Sequence, residues 1–325
     1  MSVARGEMNI NYSNKHLQIG VAYGIPILFF AWAFHYIATH PHDFVKLFSL
    51  SLTLVLLLIF IQLISIWISG LFTLLMVKPY GIELTFHDYF GITVVSRSLN
   101  IILPMKGGAA VRGLYLKQQH NLSLTDFSAI FAWQSLLTLF VASLLGLSGL
   151  AWLFLQTNEI DRLGLIIFSS AVLIFGVLIC WSPTINNIQN EKIKKLKNVL
   201  DSWRKLRTNR KIIIRISLLS FINTALSTAS IALIFYALDN PQALGAALYL
   251  GGNQDVMYHA SITPGALGVV EASTVFLSKN ISINVSDALL VALINRTLIF
   301  SVSGLLTPFY IHRILKKQSL IRTKI

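Results

Sequence analysis

The chain has 325 residues, of which 55% are hydrophobic and 12% are charged, and its mean hydropathy is +0.69. Charged residues make up about a quarter of a soluble domain, so this composition excludes an ordinary soluble protein and predicts an all-α, polytopic membrane helix bundle. The formal net charge of +13 lies in short blocks between apolar segments. The positive-inside rule explains that pattern, and we therefore expect no nucleic acid partner.

Six apolar stretches are long enough to cross a bilayer, which takes about 20 helical residues. In chain order they are 18–38, 47–77, 126–155, 163–181, 212–238 and 287–311. Two weaker stretches, 86–103 and 243–280, are each interrupted by Pro and Gly. Proline removes a backbone donor and breaks a helix, and irregular backbone at membrane depth is tolerated only inside protein or beside water. With these two stretches, we expect about eight membrane segments.

Lysine and arginine concentrate in two places, with nine in loop 182–211 and five in residues 312–325. The positive-inside rule predicts that both are cytoplasmic. We therefore expect a multi-pass protein of the inner (cytoplasmic) membrane with both termini in the cytoplasm. The predicted parts are a cytoplasmic N-terminus (1–17), a single membrane domain (18–312) and a basic tail (313–325).

Counting crossings from these loops places both ends of 86–125 on the cytoplasmic side and both ends of 243–280 outside. Each stretch is then predicted to be a re-entrant hairpin, and the two enter from opposite faces. One interpretation is an inverted-topology repeat, as in many secondary transporters, and the other is two ordinary membrane hairpins with proline turns. The residues predicted to form the two breaks are Asn100, Pro104, Pro264, Gly265 and Gly268.

The basic loop contains apolar residues at helical spacing from Ile193 to Trp203. An amphipathic helix with many cations lies on anionic lipid. We therefore predict that segment 192–211 contacts anionic lipids of the inner leaflet.

Ionisable residues inside apolar segments cost about 2.5–3.5 kcal/mol on insertion scales and often mark functional sites. Glu271 and Arg296 are two such residues, and pairing would lower the cost of burying either. Arg296 is predicted to bind a lipid phosphate, with Glu271 as its ion-pair or coupling partner. A purely structural ion pair that holds the second hairpin to the last helix is the alternative.

Lys106 and Arg112 flank the pair Gly107-Gly108 just after Pro104. Glycine lets backbone N–H groups approach a ligand, a helix start attracts anions, and arginine binds oxyanions with two donors. These four residues are therefore predicted to bind a headgroup phosphate. The alternative is positive-inside charge beside a turn.

Other polar residues also lie near the breaks, among them Arg97, Asp255 and His259. Asn100 is more typical of a hydrogen bond between helices. The histidines show no metal-ligand spacing, so neither a metal nor another cofactor is expected.

Residues Asn100–Arg112, which read N-I-I-L-P-M-K-G-G-A-A-V-R, resemble the N-x-x-x-P-x-[KR]-x-G-E-x-x-R element of the lysylphosphatidylglycerol synthase transmembrane-region family. Residues Thr263–Glu271 resemble the P-G-G-x-G-x-x-E element of that family, and Arg296 matches an arginine in its last helix. The resemblance covers about 18–312. Two positions depart from the family pattern, since Ala109 replaces a Glu and Ala266 replaces the second Gly of P-G-G.

The resemblance implies a flippase-like domain in envelope biogenesis. It would move an anionic phospholipid, an aminoacyl-phospholipid or a prenyl-phosphate-linked glycolipid, and the two hairpins would meet to form a polar cavity. Only fourteen residues follow Ile311, so lysyl transfer by an aminoacyltransferase domain is not expected, and we favour a transporter over an enzyme. Two alternatives remain open. One is a membrane glycosyltransferase or other polyprenyl-phosphate-dependent transferase, with Asp43 as its one outer-loop carboxylate, and the other is a non-catalytic scaffold. Expected partners are the lipid substrate and either a second copy of the chain or envelope-synthesis enzymes.

Overall fold

In the computed structural model, the residues described are 27–28, 31–44, 50–180, 191–240, 242 and 244–322. All regular secondary structure in these residues is helical, which confirms the all-α prediction. The predicted terminus 1–17 and most of the first predicted crossing lie outside the described residues, as do the side chain of Asp43 and residues 181–190.

The helices follow one another with short connections. They are α1 (31–39), α2 (Pro41–Phe44), α3 (Leu52–Val77), α4 (Phe86–Ile102), α5 (Gly107–His120), α6 (Leu124–Thr157), α7 (Arg162–Cys180), α8 (Glu191–Thr208), α9 (Arg210–Ala237), α10 (Leu244–Ala260), α11 (Val269–Asn280) and α12 (Val285–Arg322). Among the described residues, α3, α6, α7, α9 and α12 are long and apolar enough to span a membrane. They correspond to five of the six predicted crossings. Helix α12 continues through the predicted tail as far as Arg322.

One end of the bundle, here called the basic end, holds a buried apolar cluster to which seven helices contribute. Its members include Met76 of α3, Trp133 of α6, Leu206 of α8, Ile216 of α9 and Tyr310 of α12. The cluster therefore combines the end of α3 and of α12 with the beginning of α6 and of α9. Helices α3 and α12 run toward the basic end, and α6 and α9 run away from it.

A second apolar cluster occupies the other end, here called the far end. It contains Leu58 from the beginning of α3, Leu150 from the second half of α6, Phe235 from the end of α9 and Leu289 from the beginning of α12. The same four long helices thus connect the two ends of the molecule.

The two broken stretches pack at opposite ends of these helices. Ile92 of α4 and Leu116 of α5 belong to the cluster of the basic end, whereas Leu250 of α10 and Val275 of α11 belong to that of the far end. The order of elements is therefore helix, hairpin, helix (α3 to α6) and again helix, hairpin, helix (α9 to α12), with directions reversed. This is the arrangement that an inverted-topology repeat has. Which end faces the cytoplasm stays a prediction from the loop charges.

The basic loop forms helix α8, as predicted, and it packs on the basic end. Leu206 is fully buried, and the ring of Trp203 meets that of Trp133 edge-on at 4.9 Å between centroids. Ser202 donates a hydrogen bond to the carboxylate of Asp126 in the first turn of α6. The contact between this segment and anionic lipid stays a prediction.

The helices of the two stretches are interrupted at Pro104 and at Pro264–Gly268, whereas Asn100, also predicted to form a break, lies within α4. The first tip, defined as residues 103–106, begins with Leu103 in an extended conformation, as expected before a proline, and ends with Lys106 at φ 55°. The second tip, defined as residues 261–268, contains a single 3-10 turn, Pro264–Ala266. Gly268 ends this tip at φ 75°, a conformation that glycine adopts without strain.

Candidate functional site

The two hairpin tips contact each other. The main-chain N–H of Met105 donates a hydrogen bond to the carbonyl of Ile262 at 3.0 Å. Beside it, the Lys106 ammonium donates to the carbonyl of His259 at 2.8 Å. That carbonyl belongs to the last turn of α10, where a cation is favoured by the helix dipole. The first hairpin thus places a positive charge at the C-terminus of α10, the first helix of the second hairpin.

A cavity of about 130 Å³ lies between the tips and the long helices. Its wall is built from α3, α4, α5, α6, α9, α10 and α12, so both hairpins and four of the spanning helices contribute. This volume holds several waters, and most of the residues that line it have polar side chains. The charged or titratable side chains that line it are Arg97, Lys106, Arg112, Asp255, Tyr258 and His259.

Arg112 projects from α5 into this cavity. Its two terminal nitrogens donate to the hydroxyls of Thr73, at 2.9 Å, and Ser96, at 3.3 Å. Its Nε is buried without a hydrogen-bond partner. No carboxylate among the described residues lies within ion-pair distance of this guanidinium. Arg112 is therefore held in place by neutral hydroxyls, and its charge is not neutralised by protein.

Arg97 lies at the start of a hydrogen-bonded chain of amides. Its Nη2 donates to Gln62 Oε1 at 3.1 Å, and Gln62 Nε2 donates to Asn295 Oδ1 at the same distance. Asn295 in turn donates to Gln254 Oε1 at 2.7 Å. The chain joins α4, α3, α12 and α10, so the second cation of the cavity is also fixed by neutral partners.

Asp255 is the carboxylate of the cavity wall and lies on α10. It accepts hydrogen bonds from Thr224, at 2.5 Å, and Ser227, at 3.2 Å, both on α9. His259, one turn later, is hydrogen-bonded through Nδ1 to the main-chain carbonyl of Asp255 at 2.9 Å. Since a carbonyl only accepts, Nδ1 carries the proton in this contact.

The predicted pair of Glu271 and Arg296 forms, but it does not line this cavity. The Arg296 side chain contacts Glu271 Oε1 through Nε and Nη2, each at 2.5 Å. Its Nη1 donates to the carbonyl of Gly265 at 2.6 Å, and the other oxygen of Glu271 accepts from the N–H of Gly268 at 2.8 Å. Both side chains are buried and line a smaller cavity with Gln254 and Asn295. The pair thus holds α12 to the second tip.

Comparison with known protein families matches residues 17–306 to the Lysylphosphatidylglycerol synthase TM region. The chain belongs to this family. Comparisons with curated proteins and with solved structures gave no match. Membership confirms the resemblance seen in the two sequence elements and, with the spanning helices, makes this a multi-pass membrane protein of lipid or envelope biogenesis.

In this family member, the glycines of the first element serve close helix packing. A Cβ on Gly108 would lie 1.9 Å from the carbonyl oxygen of Ser96 and 2.8 Å from Asn100 Oδ1. Asn100 Oδ1 accepts from the main-chain N–H of Ala109 at 3.2 Å. A Cβ on Gly107 would meet the Leu103 side chain at 2.7 Å. The contact of Gly107 and Gly108 with a phosphate stays a prediction.

The structure divides the predicted residues of this family member between two places. Lys106, Arg112 and Asn100 line the larger cavity, whereas Arg296 and Glu271 line the smaller one. The sequence places Arg97, Asp255 and His259 near the breaks, but none of them is among the predicted site residues. They share one signal, namely an ionisable side chain on an apolar helix within ten residues of a hairpin break.

Proposed function

We propose that this protein moves lipids with an anionic headgroup between the leaflets of the membrane. The observation that carries the proposal is the cavity at the meeting point of two opposed hairpins, with Arg97, Lys106 and Arg112 in its wall. Three cations and one carboxylate give it a net positive charge. Since ionisable groups are costly within a membrane and mark substrate pathways, this charge supports an anionic ligand.

The hydrogen bonds of these cations support binding of a phosphate. Arg112 and Arg97 donate to hydroxyl and amide groups, which orient a guanidinium without neutralising it. A phosphate entering the cavity gains charge-assisted hydrogen bonds, and arginine makes two of them at once. Arg296 already contacts Glu271 and two main-chain carbonyls, so its part in this function is to hold the second tip.

The reversed directions of the two helix–hairpin–helix units support alternating access to the cavity. In transporters with inverted repeats, one unit rocks against the other around a central site. Here the contact between Met105 and Ile262 links the units beside Lys106 and His259, which line the cavity. Apolar chains of the lipid would stay in the bilayer while the headgroup passes.

The test uses purified full-length protein in liposomes that contain a fluorescent phosphatidylglycerol. Accessibility of the fluorophore to dithionite measures movement between leaflets. We expect movement above that of protein-free liposomes, and at least a tenfold decrease for Arg112→Gln. The matched control is Arg162→Gln, because Arg162 is an exposed arginine at the start of α7. Unchanged rates for Arg112→Gln, Lys106→Gln and Arg97→Gln would contradict the proposal.

A further inference from the structure

Asp255 is a buried carboxylate that has hydrogen bonds but no ion pair. Asp255 is 6% exposed, and its carboxylate accepts hydrogen bonds from the hydroxyls of Thr224 and Ser227. Among the described residues, no lysine, arginine or histidine nitrogen lies within ion-pair distance of it. Burying an unpaired carboxylate is costly, whereas the same group with a bound proton is neutral. The site therefore favours uptake of a proton by Asp255.

We propose that Asp255 binds a proton together with the anionic headgroup, so that lipid movement is coupled to protons. The inference rests on the proposed function, and it adds the proton as a second ligand of the cavity beside the headgroup. The ligand chemistry is a proton from water, bound to Oδ1 or Oδ2 of the carboxylate.

The charges that face Asp255 favour this coupling. Arg97 from α4 and Lys106 and Arg112 from α5 lie on the same cavity wall, and His259 follows on the same helix as Asp255. With histidine neutral, the cavity carries a net charge of +2 when Asp255 is ionised and +3 when it is protonated. An ionised Asp255 repels a phosphate in the same cavity, because both are anions. Protonation removes that repulsion.

The remaining groups around Asp255 leave this balance unchanged. Tyr258, on its own helix, is a neutral phenol. On α11 and α12, Glu271 and Arg296 neutralise each other in the smaller cavity. The side chains that α3, α6 and α9 place in the cavity wall are amides, hydroxyls and apolar groups.

Linkage makes the effect reciprocal, because a proton that strengthens anion binding is itself bound more strongly when the anion is present. Coupling between two sites typically changes affinity by a factor of 5–150, and we expect roughly tenfold here.

The experiment measures binding and transport with the same protein. The binding probe is short-chain dioctanoyl-phosphatidylglycerol, whose phosphodiester stays ionised from pH 5 to 8. We expect the wild-type affinity to rise about tenfold as the pH falls through this range. Asp255→Asn, which keeps two polar atoms at the same place, should bind as the wild type does at low pH and should show no such rise. Glu83→Gln is the matched control, because Glu83 is an exposed carboxylate outside the cavity.

A second variant keeps the carboxylate and changes its partners. Thr224→Val has almost the same shape but removes the hydroxyl that donates to Asp255. Because that hydrogen bond favours the ionised form, we expect the pH dependence to persist with its midpoint at higher pH. A pH dependence that is unchanged in both Asp255→Asn and Thr224→Val, or one that is abolished only by His259→Gln, would overturn the assignment.

In liposomes, an imposed pH gradient should drive the fluorescent phosphatidylglycerol to an unequal distribution across the two leaflets. Asp255→Asn should still move the lipid but only to the distribution found without a gradient. If the wild type moves lipid and the gradient has no effect, the coupling is wrong and the proposed function stands. If the wild type moves no lipid, both are overturned.

Discussion

The main-chain N–H of Met105 donates to the carbonyl of Ile262 at 3.0 Å, which joins the tips of two hairpins that enter the bundle from opposite ends. The side chain of the next residue, Lys106, extends the contact to the last turn of α10. Lys106 and His259 also line the charged cavity, so the contacts between the tips lie next to it. A movement that separates the two tips therefore has to break these two hydrogen bonds.

A disulfide between the tips should stop transport. The bond from Met105 to Ile262 limits the separation of their Cα atoms to about 7 Å, which is near the upper bound for a disulfide. Both side chains are exposed, at 63% and 45%, so an oxidant can reach cysteines placed there. We expect Met105→Cys/Ile262→Cys to lose at least 90% of lipid movement on oxidation and to recover it with dithiothreitol.

Cys180 is exposed and free, so the cross-link is made in a Cys180→Ser background. The control is each single cysteine variant, which should respond to neither reagent. Full transport by the oxidised double variant, with the disulfide verified by mass spectrometry, would show that the tips need not separate.

The hairpins could be predicted because two independent signals agree at each of them. Pro104 and Pro264 interrupt apolar stretches, and the charge count requires both ends of each stretch to lie on one side. The structure adds that the tips touch. That contact depends on how far each hairpin extends along α3 and α9, which neither hydropathy nor charge specifies.

The cavity was only partly predictable, because the rotation of each helix about its axis decides which side chains meet. Lys106 and Arg112 face the cavity, whereas Arg296 turns toward Glu271 and the second tip. Asp255 is placed by hydroxyls on α9, 28 and 31 residues earlier. Hydroxyls are common in membrane helices, and their positions alone do not indicate a partner.

Breaking the buried ion pair between Glu271 and Arg296 should destabilise the protein. Arg296→Ala leaves Glu271, which is 1% exposed, without a cation, and such a loss costs about 3–5 kcal/mol. We expect a large drop in the melting temperature of the protein in detergent. Thermal unfolding is monitored by tryptophan fluorescence. The double variant Glu271→Gln/Arg296→Met removes both charges and should recover at least half of the loss.

A matched control for this pair is Asp201→Asn, since Asp201 is paired with Arg204 at 3.9 Å on an exposed surface. Exposed pairs contribute about 0–1 kcal/mol, and this variant should be nearly as stable as the wild type. If Arg296→Ala were equally stable while lipid binding disappeared, Arg296 would act on the headgroup and not on the fold.

Gly108 should tolerate no side chain. An added Cβ would come within 1.9 Å of the Ser96 carbonyl oxygen, which is main-chain and cannot rotate away. Gly108→Ala should therefore separate α4 from α5 and cost about 1–3 kcal/mol, the usual range for overpacking. The measurement is the folded fraction in size-exclusion chromatography after heating.

Gly304→Ala is the control for this substitution, because a Cβ there meets nothing within 4 Å among the described residues. It lies in helix α12, where alanine is favoured over glycine by up to about 1 kcal/mol. We expect a neutral or stabilising effect. Equal stability of both variants would contradict the close packing of the first hairpin.

The charge of Arg97 can be tested without replacing it, through its partner Gln62. Gln62→Glu places a carboxylate against the Arg97 guanidinium, now 3.1 Å from the amide oxygen, and should neutralise one of the three cavity cations. Gln62→Met removes both hydrogen bonds without adding charge, whereas Gln62→Glu keeps an acceptor for Arg97 and loses only the donor to Asn295. The difference between the two variants therefore reports the added carboxylate together with its hydrogen bond to Arg97. We expect Gln62→Glu to bind dioctanoyl-phosphatidylglycerol roughly tenfold more weakly than Gln62→Met at pH 7, in line with typical coupling between charged sites. Equal affinities, with both proteins folded, would mean that the charge of Arg97 does not act on the headgroup.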